Sequence, residues 1–226
     1  MSDVRFHYFF DPLCGWCYAS APALTPLAQR LANRLELHPC GLFAGHGSRD
    51  MSADWAAHAW TYDQRIASLT GQVFSEAYHH KVLMDATLRF DSTALTRVLT
   101  AARTLDAALE VPLLKQLQIK RYVTGQDTAD ARVVATVAAD FSGRHGLDLD
   151  AEELSQRLLD DDALAEQTQT RIDQAQKMMS RWGIQGVPQL VAVVDERTHI
   201  IPSQLLYQNP SSLLAELEQT LGVALA

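Results

Sequence analysis

Few folds can begin as this chain begins. Residues 4–10 form an apolar run, Asp11-Pro12-Leu13-Cys14-Gly15-Trp16-Cys17 follows, and apolar residues then recur at helical spacing over 19–35. The pattern predicts a strand, a tight turn and a helix, with two cysteines where the helix starts. The first turn of a helix has unpaired N–H groups and about half a positive charge. A thiolate there is stabilised, and the thiolate is the reactive form of cysteine. With two residues between them, Cys17 can reach Cys14 and close a reducible ring. A C-x-x-C pair beside a strand–helix unit reads as a redox motif.

A zinc half-site uses the same spacing, but it needs two further ligands. Cys40 is the only other cysteine, and no two histidines stand at the H-x3-5-H spacing. No metal site is expected. Three cysteines in 226 residues make no disulfide framework and suit a reducing compartment. Net charge is −8 with pI about 5.4 and no basic block, which argues against nucleic-acid binding. No apolar run approaches a membrane span, so no membrane partner is expected. Met1-Ser2-Asp3-Val4-Arg5 does not read as a secretion signal, and the expected location is cytoplasmic.

Further along, Leu24, Leu27, Ala28, Leu31 and Leu35 share one helical face, with a kink expected near Pro22. Residues 35–42 read as a second strand containing Cys40, parallel to the first through a right-handed crossover. His7 reads as a satisfied strand histidine and Cys40 as a small buried apolar group. From 51 to 181 the patterns are helical, with no strand. Trp55, His58, Ala59 and Tyr62 mark one helix, and Ser92 reads as the cap of another over 93–105. Pro112 suits the first position of a helix reaching 123, with Gly125 as its stop. Helices over 130–141, 151–159 and 163–182 follow, Asp150 and Glu153 forming a capping box. Met178, Met179 and Trp182 read as core. Gly183-Ile184-Gln185-Gly186-Val187-Pro188 breaks the last of these. Residues 189–194 and 199–205 then form an antiparallel hairpin, with Pro202 implying an edge strand. Asn209-Pro210 opens a final helix that Gly222 closes.

The expected fold is therefore α/β. Residues 1–50 and 181–226 build one discontinuous domain, and 51–180 form a helical insertion. This order, with Cys14-Gly15-Trp16-Cys17 and Gly186-Val187-Pro188, resembles the thioredoxin fold. The insertion resembles the DsbA family of thiol–disulfide oxidoreductases. The run from Asp11 to Tyr18 looks like its predicted protein-disulfide isomerase branch, related to FrnE-type proteins. The resemblance implies that Pro188 is cis and faces the cysteines, and that the Val187 backbone pairs with substrate. It also implies an acid six residues before the first cysteine, but that position here is Tyr8. Proton transfer to and from Cys17 thus lacks its usual carboxylate.

The reading is an enzyme that exchanges a dithiol and a disulfide with protein or small-molecule thiols. Cys14 attacks as the accessible thiolate and Cys17 resolves the mixed disulfide. Gly15 lets the turn close, and exposed Trp16 packs on substrate. The redox-active pair needs no cofactor, and glutathione is the co-substrate it would admit. The alternative is a glutathione-dependent transferase or isomerase, of the kappa-class or hydroxychromene carboxylate isomerase type. Those proteins use a serine near this position. A third reading is a binding or chaperone module. Whether the pair oxidises, reduces or isomerises depends on its potential, and the oligomeric state is left open.

Overall fold

In the computed structural model, which describes residues 4–225, the chain builds its sheet around its first strand. β1 (Val4–Phe10) sends Phe6, Tyr8 and Phe10 to one face and His7 and Phe9 to the other. Both faces are covered, so the run carries almost no polar alternation. α1 (Gly15–Ala19) and α2 (Ala21–Leu31) return the chain to β2 (Leu35–Pro39), which pairs parallel to β1. Between them Ser20 breaks the helix, and Pro22 lies in the first turn of α2, where its missing N–H costs nothing. A break thus replaces the expected kink. β2 ends at Pro39. Cys40 follows the strand, though its N–H still donates to Phe10 O at 2.8 Å.

The next part of the chain is mainly helical. It comprises α3 (Ala53–Thr70), α4 (Glu76–Tyr78), α5 (Thr93–Leu105), α6 (Glu110–Tyr122), α7 (Ala131–Arg144), α8 (Ala151–Asp160) and α9 (Asp162–Trp182). It is not free of strand: β3 (Arg49–Asp50) pairs antiparallel with β4 (Arg89–Phe90). A two-residue ribbon is too short to leave a periodic signature. Ser92 precedes α5 without capping it. Thr93 N–H donates instead to Asp91, and Ser92 Oγ is drawn to Asp11 Oδ2 at 3.0 Å. α6 starts two residues before Pro112, after a 3-10 turn over Ala107–Leu109. Asp150 caps α8 by accepting from Glu153 N–H, and Gly183 ends α9 in the left-handed region.

β5 (Gln189–Val194) and β6 (Arg197–Ile201) complete the sheet, in the order β2-β1-β5-β6 with β5 antiparallel to β1. The hairpin is tighter than expected. Asp195 and Glu196 both take positive φ, as a two-residue loop requires. β6 is the edge strand and stops before Pro202; residues 203–207 are a 3-10 turn, not strand. α10 (Pro210–Leu221) ends at Gly222, and at its start Ser212 N–H donates to Asn209 O at 3.1 Å; the Pro210 side chain of the expected Asn209-Pro210 opening lies outside the described side chains. One buried cluster joins β1, β5 and α2 to α3, α5, α6 and α7. We therefore propose the division at residues 50 and 181 as one of chain topology, since both parts share a core.

Candidate active site

The turn after β1 is held from three directions. Asp11 is fully buried; its Oδ1 accepts from Leu13 N–H at 2.9 Å and its Oδ2 from Phe43 N–H at 3.0 Å and from Ser92 Oγ. Tyr122 of α6 donates to Leu13 O at 2.7 Å. These bonds fix the backbone on which Cys14 starts α1. Cys14 is the N-cap residue, in extended conformation, and Cys17 lies one turn on.

Both cysteines are free thiols and both are largely covered: Cys14 is 8% exposed and Cys17 1%. Cys14 is thus less accessible than expected, yet it is the outer of the two. Its Sγ–H donates to Val187 O at 3.6 Å, and the Val187–Pro188 peptide is cis. Burial foremost, with the hydrogen bond to Cys14, pushes the Cys17 thiol well above the usual range. Cys40 is buried as expected, and burial lifts its thiol to about 12.

An open groove of about 690 Å³ runs beside the pair, lined by Trp16, Leu69, Val187, Pro188 and Tyr207. Trp16 is half-buried rather than exposed, its ring 4.9 Å from that of Tyr207. The expected site residues Cys14, Gly15, Trp16, Val187 and Pro188 thus gather at one place, with Cys17 behind them.

Two neighbours supply the polar surroundings. Tyr8 is buried, and its hydroxyl donates to Ser20 Oγ at 2.6 Å, which in turn donates to Cys17 O at 2.8 Å. Burial, then proximity to Cys17, raises the Tyr8 hydroxyl well above its normal range. Tyr8 is therefore a fixed hydroxyl and supplies no carboxylate. A carboxyl arrives from α3 instead. Asp63 is 6% exposed, and a Cβ built on Gly15 would lie 2.5 Å from its Oδ1. Its Oδ2 accepts from Tyr78 Oη at 3.1 Å. Burial pushes its pKa up to about 7, against the Tyr78 hydrogen bond and the Arg121 charge. Gly15 is thus required by close approach: any side chain there meets Asp63 and Ile66. Reading the sequence passed over Asp63. The signal was its place on the buried face of α3, at the spacing Ala56, Ala59, Asp63, Ile66. Trp55, His58 and Tyr62, expected to mark one helix, lie on α3 and stack in sequence along it.

A four-stranded thioredoxin-type sheet, a C-x-x-C at the first turn after its first strand, and helices inserted before β5 define a thioredoxin-fold protein of DsbA-like arrangement. The chain belongs to the DSBA-like thioredoxin domain family, whose model matches residues 6–206, and so to a family of thiol–disulfide oxidoreductases. No curated protein matches it by sequence. Among solved structures it is similar to the cytosolic disulfide reductase DsbM from Pseudomonas aeruginosa. Identity is 28%, over 96% of this chain and 98% of that one, with a TM-score of 0.79. The same reductase solved with GSH gives 27%, 97%, 100% and 0.77. A 2-hydroxychromene-2-carboxylate isomerase shares the fold at 15% identity, over 96% of this chain and 98% of that one, with a TM-score of 0.52. Among the described residues no helix is long and apolar enough to cross a membrane.

Proposed function

We propose that the chain is a disulfide reductase that uses Cys14 and Cys17 as its dithiol and glutathione as the thiol that restores it. The observation that carries this reading is the pairing of an outer thiol on the Val187 carbonyl with an inner thiol buried one helical turn away. The likeness to a reductase solved with GSH supports the direction and the small-thiol partner.

Cys14 attacks a substrate disulfide as thiolate; one substrate sulfur leaves as a thiolate and the other stays bonded to Cys14. Cys17 then loses its proton and attacks Cys14 Sγ. The Cys14–Cys17 disulfide forms, the second substrate sulfur leaves, and two electrons have passed to the substrate. Two glutathione thiols reverse these steps and leave as glutathione disulfide. Trp16 and Tyr207 offer the attacking partner an aromatic wall, and the Val187 backbone an extended chain to pair with. Asp63, beside Gly15, one of the two residues between the cysteines, is our assignment for the group that takes up and returns the proton. The inner thiol needs such an acceptor, because burial opposes its ionisation.

The test sets reduction of insulin, with glutathione as donor, beside conjugation of glutathione to an electrophile. Reduction lost on either Cys14→Ser or Cys17→Ser supports the reductase. Conjugation that survives Cys17→Ser, without reduction, would replace it with the transferase reading.

A further inference from the structure

On the face of the sheet away from the cysteines, two imidazoles and a carboxylate converge. His7 and Glu36 are register partners across β1 and β2, and His38 lies two residues beyond Glu36 on the same face. His7 Nδ1 and His38 Nε2 are 2.9 Å apart, and Glu36 Oε2 lies 3.9 and 3.8 Å from them. The point equidistant from these atoms is about 2.1 Å from each. That is the bonding distance of zinc to imidazole nitrogen and to carboxylate oxygen.

We propose that His7, Glu36 and His38 form a site for a divalent transition metal ion of zinc type. Two imidazoles with one carboxylate suit zinc and its first-row neighbours, and exclude the all-oxygen preference of calcium and magnesium. The surroundings support it. The histidine side chains are 13% and 11% exposed and Glu36 is 47% exposed, so the nitrogens are sheltered while one side is open for an ion and a water ligand. Arg103 donates to Glu36 Oε1 at 2.8 Å, which holds the other oxygen toward the imidazoles. Glu110 answers the positive charge of Arg103 and Arg171 at 3.6 and 2.6 Å, so Glu36 does not carry both. The Phe9 and Trp182 rings pack on His38 and His7 and restrict their rotation. Without metal, one imidazole N–H bridges the two rings. On binding, that ring takes its other tautomer, both facing nitrogens coordinate, and no proton is lost overall. Glu76, His79 and His80 also converge, but Glu76 and His80 are 74% and 68% exposed, and this cluster serves as the comparison.

Thiolates are zinc ligands in general, so the experiment uses the full chain carrying Cys14→Ser and Cys17→Ser. Titration with Zn²⁺ against a chromophoric chelator is expected to show one site. His7→Ala and His38→Ala should each weaken it about 10-fold or more, and His80→Ala should leave it unchanged. Co²⁺ should give ligand-field bands without thiolate charge transfer, which excludes Cys40. Absence of a site, or affinity indifferent to both His7 and His38, overturns the proposal, as does loss on His80→Ala. If the alanine variants do not fold, imidazole NMR decides: Zn²⁺ must move the ring signals of His7 and His38, and shifts confined to other histidines overturn it.

Discussion

The two faces of β1 treat buried ionisable groups in opposite ways. On the Tyr8 face the carboxyl comes from outside the sheet: Asp63 on α3 is pushed up to about 7 by burial. On the His7 face, burial and the neighbouring imidazole push His38 down to about 3, in a pair that the two strands themselves assemble. Both shifts have the same first cause, loss of water around the charged form. The difference lies in what surrounds each group. Asp63 has Tyr78 as its hydrogen-bond partner, and that bond and the Arg121 charge offset burial only in part, so it sits poised near neutrality over Gly15. His38 has a second imidazole at hydrogen-bond distance and Arg103 and Arg171 nearby, so it stays neutral throughout the working range. One face holds a proton that is ready to move. The other brings two imidazole nitrogens and a carboxylate oxygen around one point.

If thiol chemistry belongs to the Tyr8 face alone, the largest effect comes from its cysteines. Cys14→Ser should lower disulfide turnover at least about a thousandfold, as loss of a covalent nucleophile does. Cys17→Ser should accumulate mixed disulfides, visible by mass spectrometry, whereas Cys14→Ser should accumulate none. His7→Ala should stay within about twofold of the parent. A thousandfold loss in His7→Ala would break the separation of the faces.

Asp63→Asn sharpens the same contrast. The unfolded chain releases this proton near 3.8, whereas the folded chain keeps it until about 7. Between those values the unfolded state binds fewer protons, so this group makes stability fall as pH rises from 4 to 7, by up to about 4 kcal/mol. Asp63→Asn should therefore gain stability over the parent at pH 8 and little at pH 4, read from denaturant midpoints at both. Its turnover should lose an inflection near neutral pH. An equal change at both pH values would mean that Asp63 only fills space.

Gly15→Ala forces a Cβ against Asp63 and Ile66 and should cost about 1–3 kcal/mol. Combining it with Asp63→Ala should recover part of that cost, and strict additivity of the two would deny the contact. The smallest effect belongs to Tyr8→Phe. It removes one hydrogen bond to Ser20 while Ser20 still reaches Cys17 O, a loss of about 1 kcal/mol with turnover near normal. A large drop in turnover would give Tyr8 the proton role assigned to Asp63.

What could be read without a structure was what neighbours in the chain decide. The β1–turn–α1 order, the cysteines at a helix start, the Gly183 stop and the Asp150 cap each depend on a few consecutive residues. Their backbone preferences and hydrogen bonds are settled locally. The shorter elements escaped for the same reason. β3 and β4 have two residues each, and the Asp195-Glu196 turn uses positive φ at residues that do not advertise it. Ser92 had the composition of a cap, but buried Asp11, 81 residues away in sequence, took its hydroxyl.

The sequence by itself therefore determined the redox motif, the α/β class and the insertion between the two halves of the sheet. Only the tertiary structure decided that Asp63 lies against Gly15 and that His7, Glu36 and His38 share one point. A carboxylate 48 positions from its glycine, and two histidines 31 apart, carry no spacing signal. They meet because apolar burial packs α3 over the first helix and because parallel pairing sets the register of β1 on β2. Those forces act on whole faces of elements and leave no local pattern that a reader of the chain could find.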